Sequence, residues 1–247
     1  MEHIITAVAF LATGMIFSLW ERSNPARKVV YRETILRDFG SAICGLIFDV
    51  LATIVLPYTW VDDWQFSIVL GQWLDTNVSL WVRFVMFFLL SDLLYYGFHR
   101  LMHDPLWSIH KWHHFPRQLW WLSGMRASFP HVLFVGFPLF LFWLMNLPLG
   151  FILVYQIVLA CLNNWMHVNV AAPWMRWFEW LVVTPRYHAI HHSISLTHRN
   201  KNLGAIFTFW DRLFGTYLDP SLFQQEALEF GINENEEVST LRLMVGL

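Results

Sequence analysis

Residues 99 to 114 read HRLMHDPLWSIHKWHH, five imidazoles in sixteen positions. His99 and His103 are one helical turn apart, and His110, His113 and His114 share one face of the short helix that should follow. The same grammar returns in TPRYHAIHH with His188, His191 and His192, and NNWMH ends in His167. A lone histidine on an apolar helix is ordinarily a hydrogen-bonded core residue. Nine at helical spacing call for another account, because burying so many polar rings without partners is costly and a bound cation compensates that cost while holding the rings neutral. A structural zinc takes four ligands, so nine nitrogens predict two metal ions with four or five ligands each. Imidazole suits iron, zinc, copper and nickel alike, and ligand type alone does not choose among them.

The elements that carry these rings follow from local signals. Asp104-Pro105 is expected to cap and open a short helix that stops before Pro116, and Thr184 with Pro185 should start the helix bearing His188. The surroundings are apolar. Of 247 residues, 56% are hydrophobic and 14% charged, where a soluble domain carries about 25% charged. With a net charge of −2 and no long basic run, nothing points to nucleic acid. Cys44 and Cys161 fall inside apolar segments and read as small core residues rather than as a disulfide or thiolate site.

The predicted fold is an all-α integral membrane bundle of about five apolar spans, with a cytoplasmic helical cap carrying a histidine-rich dimetal site. Spans are expected at Ile4 to Trp20, Phe39 to Trp60 and Ser79 to about Phe98. Val132 to Met166 should form two more, joined by a turn at Asn146-Leu147-Pro148-Leu149-Gly150. Residues 1–220 read as one membrane-embedded domain and 221–247 as a short acidic soluble tail. The loop after the first span carries Arg22, Arg27, Lys28, Arg32 and Arg37, while Val61 to Val78 holds Asp62, Asp63 and Asp75. The basic loop is therefore cytoplasmic and the N-terminus outside, and counting crossings puts every histidine box on the cytoplasmic side. Arg83 is the one basic residue left over, close enough to a helix end to snorkel.

DLLYYGFHRLMHDPLWSIHKWHH, WLSGMR, NNWMHVNV and TPRYHAIHHSISLTHRNKNLGAIFTFWDRLFGTYLDP together resemble the fatty acid hydroxylase and sterol desaturase superfamily, over about residues 88 to 220. The resemblance implies a non-haem enzyme with two iron ions, which zinc can displace on purification. It implies that O2 and electrons from an external donor protein are used to hydroxylate, desaturate or oxidatively cleave a lipid or sterol-like substrate. Carried over box by box, the implied metal ligands are His99 and His103; His110, His113 and His114; His167; and His188, His191 and His192. Where fatty acid hydroxylases usually read H-x-x-x-H, this chain has Asn163 to His167, which makes Asn163 a weak ligand or an outer partner. Relatives often read S-R-x-H where Met125-Arg126-Ala127-Ser128 stands here. His131 follows at a spacing that fits no box and reads as polar packing, and His198 and His3 read as solvated.

Asp92 lies seven residues before His99 on one helix stripe, with Tyr95 between them, and is the expected outer acceptor that orients a ligating ring; Asp49 has a weaker claim. Arg100, Arg126, Arg186 and Arg212 are candidates for a headgroup or a redox partner. The tryptophans of LWWL and PWMRWFEW read as an interfacial belt, and the acidic tail as a possible donor-docking surface. Two rival classes stay open: a b-type haem membrane cytochrome, and a zinc-dependent membrane hydrolase or metal-handling protein.

Overall fold

A computed structural model describes residues 2–55, 65–232 and 239–247. Among them the fold is helical, with only isolated bridges such as Val182 to Phe207 and no strand. The helices are α1 (Glu2–Ser23), α2 (Tyr31–Val55), α3 (Gln65–Asn77), α4 (Leu80–His103), α5 (Trp107–His114), α6 (Phe129–Gly136), α7 (Phe140–Leu144), α8 (Gly150–His167), α9 (Pro185–His191), α10 (Phe209–Leu213) and α11 (Thr240–Val245).

Two described helices are long and apolar enough to cross a membrane, Ile5–Ser23 of α1 and the whole of α4. Only 11% and 28% of their apolar windows are buried inside the protein, so most of each window is left uncovered by the rest of the chain. Met15, Ile16 and Leu19 on α1, Leu36 and Phe39 on α2, and Trp81 and Val85 on α4 all face outward. The second expected span corresponds to α2, and its end near Trp60 lies outside the described residues.

The fourth expected span is broken. α6 gives way to a 3-10 turn, Phe137–Leu139, and then to the short α7, because Pro138 has no N–H to continue the ladder. Asn146 takes a left-handed φ of 46° in the turn before α8. Part of the segment read as the Val61 to Val78 loop is α3, whose Leu74 joins Phe87, Phe142 and Tyr155 in one core cluster. Arg83 does not snorkel: it is buried, donates to the Met145 and Asn146 carbonyls at 2.9 and 2.7 Å, and pairs with Asp75 at 2.5 Å. Those carbonyls lie at a helix end and need donors, which is what holds the arginine in.

A second core cluster joins α2, the 120–122 turn and the segment after α8 through Ala42, Trp120, Trp121, Leu122, Val168 and Met175. The LWWL residues are thus core and form no belt. The tail is acidic in composition, yet α11 packs back on α5 and α6 with Leu243 fully buried. Glu234, Glu236 and Glu237 lie outside the described residues.

Candidate metal centre

The rings come from the last turns of α4 and α8 and from the two short helices α5 and α9. α4 ends on His99 and His103, and Asp104 closes it by donating its N–H to the Arg100 carbonyl at 3.1 Å. Asp104 is therefore not the cap of α5, which starts two residues later than Pro105 would place it, at Trp107. Thr184 does cap α9, its Oγ1 accepting from the Tyr187 N–H at 3.3 Å. His167 is the last residue of α8.

All nine rings are buried, and their ligating atoms fall into two groups, each with every member within 4.8 Å of the others. One holds His99, His103, His110, His114 and His191; the other holds His113, His167, His188 and His192. In both H-x-x-H-H boxes the i,i+4 pair stays together while the middle ring crosses to the other group, so α5 and α9 each serve both.

Protonation follows from the outer contacts. Nδ1 of His99 faces the Leu203 carbonyl at 2.7 Å, His191 that of Lys201 at 3.0 Å, His113 that of Arg126 at 3.1 Å and His167 that of Asn163 at 2.8 Å. A carbonyl only accepts, so each Nδ1 carries the proton and each Nε2 presents a lone pair inward. His113 and His167, both locked this way, place Nε2 against Nε2 at 3.3 Å, two acceptors with no proton between them. The same atoms of His167 and His192, and of His188 and His192, are 3.2 and 3.0 Å apart. Imidazole nitrogens about 2.0–2.1 Å from one ion would sit roughly 3.0–3.4 Å from each other, so this donor set fits a metal. His114 Nε2 is buried without a partner as well.

Burial, reinforced by the neighbouring imidazoles, holds His110, His113, His114, His188, His191 and His192 well below the ordinary histidine range. Unfolded, the same rings protonate near about pH 6.5. Below that value the unfolded chain binds more protons than the folded one, so stability is full above it and drains away as pH falls. The slope is up to about 1.4 kcal/mol per pH unit for each ring. Thermal unfolding midpoints in detergent are expected to be level from about pH 8 to 7 and to drop steeply below about pH 6; a midpoint that rises on acidification contradicts the neutral cluster.

The carbonyls that orient the rings are themselves held. Asn200 and Asn202 turn the chain with φ of 62° and 55°. Asp211 accepts from the Leu203 and Gly204 N–H groups and from the Tyr187 hydroxyl, all at 2.8 Å, and from Thr216 Oγ1 at 2.6 Å. The Asp92 oxygens accept from the Ile206 and Phe207 N–H groups at 3.0 Å and from Trp210 Nε1 at 2.9 Å. Asp92 thus supports the 203–210 segment and does not touch His99, whose acceptor is the Leu203 carbonyl; three N–H donors have claimed the carboxylate. Asn163 acts through its backbone carbonyl, a part any residue can play, while its side chain points to Met125 Sδ at 3.6 Å.

His131 packs beside the cluster, 4.7 Å from His110 and 5.5 Å from His113 between ring centroids, and belongs to neither group. His198 is not solvated but buried against Phe223. Arg126 and Arg186 are engaged in ion pairs, with Asp38 at 2.5 Å and with Glu179 at 2.8 Å, and Asp49 is exposed. Two contributors escape the box pattern. Gly124 lies against the His167 ring, where a Cβ would come within 2.3 Å of Nδ1. Asp38 holds both Arg126 and Trp120 Nε1, the latter at 2.6 Å, beneath the Arg126 carbonyl that orients His113.

Removing one partner of a buried pair strands the other charge, which costs about 3–5 kcal/mol. Asp38→Ala is therefore expected to lower the thermal midpoint sharply and to weaken metal retention; an unchanged midpoint would deny the pair its structural role.

A cavity of about 220 Å³ opens beside the five-histidine group, lined by His103, Trp107, His114, His191, Leu196 and Arg199 among others.

The chain is 29% identical over 241 residues to the ornithine lipid hydroxylase of Rhizobium tropici, covering 86% of this chain and 67% of that one. It is 27% identical over 155 residues to an alkylglycerol monooxygenase of Xenopus tropicalis, which is 58% of this chain and 31% of the relative. Against a delta(7)-sterol 5(6)-desaturase of Gibberella zeae it is 26% identical over 179 residues, 67% of this chain and 47% of the relative. The chain thus spans about two thirds of the first relative and less than half of the other two. No solved structure matches it. The fatty acid hydroxylase family model matches residues 84–216, from the second turn of α4 through the Asp211 hub, and takes in all nine clustered histidines; the chain belongs to the fatty acid hydroxylase family.

Proposed function

We propose that this chain is a multi-pass membrane oxygenase with two iron ions, hydroxylating or desaturating a lipid with O2 and electrons from a separate donor protein. The observation that carries the reading is the His113–His167 contact, two carbonyl-locked rings with Nε2 lone pairs 3.3 Å apart. His99, His103, His110, His114 and His191 would hold one ion, and His113, His167, His188 and His192 the other. Four or five rings converging on one point leave no plane for a porphyrin, which takes ligands on opposite faces, and this disfavours the haem alternative. When bound, iron supplies redox chemistry that activates O2 for attack on an unactivated C–H bond.

The rest is done by the chain. Neutral rings keep the donor set ready to ligate at physiological pH, and burial excludes bulk water from around it. The cavity beside His103, His114 and His191 is smaller than the roughly 300 Å³ of ordinary ligand pockets, so it suits O2 or one end of a chain rather than a whole lipid. The outward-facing apolar residues of α1, α2 and α4 support a membrane setting, and the basic run Arg22, Arg27, Lys28, Arg32 and Arg37 favours a cytoplasmic histidine layer. The printed names of the relatives, an ornithine lipid hydroxylase and alkylglycerol monooxygenases, make long-chain amphiphiles the first substrates to try.

The test is to restore iron and a reductant to the purified chain and follow O2 uptake with ornithine lipid, alkylglycerol and sterol, with product mass read in parallel. Lipid-dependent uptake matched by one added oxygen atom, or by loss of two hydrogens, is expected. No uptake with any lipid would favour the zinc-hydrolase alternative.

A further inference from the structure

Among the described tryptophans some are buried and others face outward. Trp112, Trp120 and Trp121 are core residues. In the segment after α8, the 3-10 turn Pro173–Trp177 and the residues behind it turn their rings outward, with Trp174 51%, Trp177 67%, Phe178 53% and Trp180 66% exposed. Leu213 and Phe214, at the end of α10, are exposed as well. Arg212 ties the two stretches together, donating to the Glu179 carbonyl at 3.0 Å and the Trp180 carbonyl at 3.3 Å. Arg176 lies over the Trp177 ring at 4.9 Å.

This surface is bracketed by the two helices long enough to cross a membrane. Trp20, one turn from the end of α1, stacks on Trp174 with centroids 6.3 Å apart and planes 12° from parallel. Tyr96, two turns before the end of α4, stacks on Phe214 at 5.3 Å and 21°. Both contacts lie in the C-terminal thirds of their helices, and Arg22 is in the last turn of α1. An aromatic surface studded with arginines, continuous with the ends of two apolar helices, has the composition of the zone where headgroups meet hydrocarbon. Indole rings settle there, and guanidinium groups meet lipid phosphate.

From this juxtaposition we propose that residues 174–181 together with Leu213 and Phe214 form a collar seated in the headgroup zone of the bilayer. Its occupant is lipid, and the collar fixes the height at which the histidine layer rides. The inference rests on the membrane reading above but is not contained in it, since α1 and α4 could span a bilayer with this segment standing clear in water. Seating would also be felt at the metal centre. Glu179, inside the collar, accepts from the Thr184 Oγ1 that caps α9 at 2.8 Å and pairs with Arg186 at the start of that helix.

The test uses the full chain in vesicles of phosphatidylcholine and phosphatidylglycerol, on a Cys44→Ala/Cys161→Ala background. Single nitroxides are introduced by Trp177→Cys or, as an independent probe, Leu213→Cys. Ile16→Cys reports the flank of α1, and Leu222→Cys, exposed on the cap, reports the aqueous side. Collision with O2, which concentrates in lipid, is compared with collision with a water-soluble nickel chelate. Positions 177 and 213 are expected to give an O2-to-nickel ratio severalfold above that of position 222 and below that of position 16. A ratio at 177 and 213 equal to that at 222, with position 16 still in lipid, overturns the collar and spares the membrane reading. If position 16 also reads as water, the membrane reading falls and the collar with it. Protection from both reagents means that protein, a second copy or a partner, covers the patch, and that too overturns the proposal.

Discussion

Replacing His113 by alanine is expected to leave about one metal ion per chain in place of the two proposed, and to abolish lipid turnover. His113 is locked by the Arg126 carbonyl, faces His167 Nε2 at 3.3 Å, and packs its ring 4.7 Å from His192 and 4.8 Å from His110. Its removal takes the four-imidazole group to three and opens a cavity between the two groups. Loss of an outer hydrogen-bonding partner alone costs about 10–100-fold in metal affinity, so loss of a direct ligand should exceed about 100-fold. Metal analysis per chain and product mass spectrometry read the two effects separately. Two ions retained with full turnover would remove His113 from the ligand set.

Gly124→Ala should approach the same loss without touching a histidine. The added Cβ would lie 2.3 Å from His167 Nδ1 and 2.7 Å from Cγ and Cε1, against the roughly 3.5–4.0 Å at which non-bonded atoms rest. The ring has no free direction in which to yield, because Nδ1 is bonded to Asn163 and Nε2 is surrounded by His113, His188 and His192. The four-histidine group is expected to lose its ion, with turnover falling to the level of His167→Ala. Gly97→Ala is the control: a Cβ there meets nothing within 4 Å, and a helical glycine replaced by alanine should gain roughly 0.5–1 kcal/mol. If Gly124→Ala held two ions, the close approach would be dispensable.

Much of the centre was legible because the signals are local. Helical spacing marked His99 with His103 and the two H-x-x-H-H boxes, Thr184 announced α9, and the turn before α8 fell at Asn146. Local signals also misled. Asp104 looked like the start of α5 and instead closes α4, since an Asp-Pro step reads alike at either helix boundary. The apolar run after Val132 reads as one span by hydropathy, yet it breaks at Pro138. LWWL and PWMRWFEW look equally aromatic, yet one is core and the other exposed, because burial depends on which neighbours the fold brings.

What the sequence alone determined about this protein is its inventory: apolar helices, nine imidazoles at helical spacing, and caps such as Thr184, all properties of neighbours within a few residues. Only the tertiary structure decided how the rings divide, sending His113 and His114 to different groups, which carbonyl locks each ring, and why Gly124, Asp38 and Asp211 are needed. Those choices depend on atoms far apart along the chain, and spacing in sequence carries no information about which distant carbonyl, ring or carboxylate will meet a given side chain.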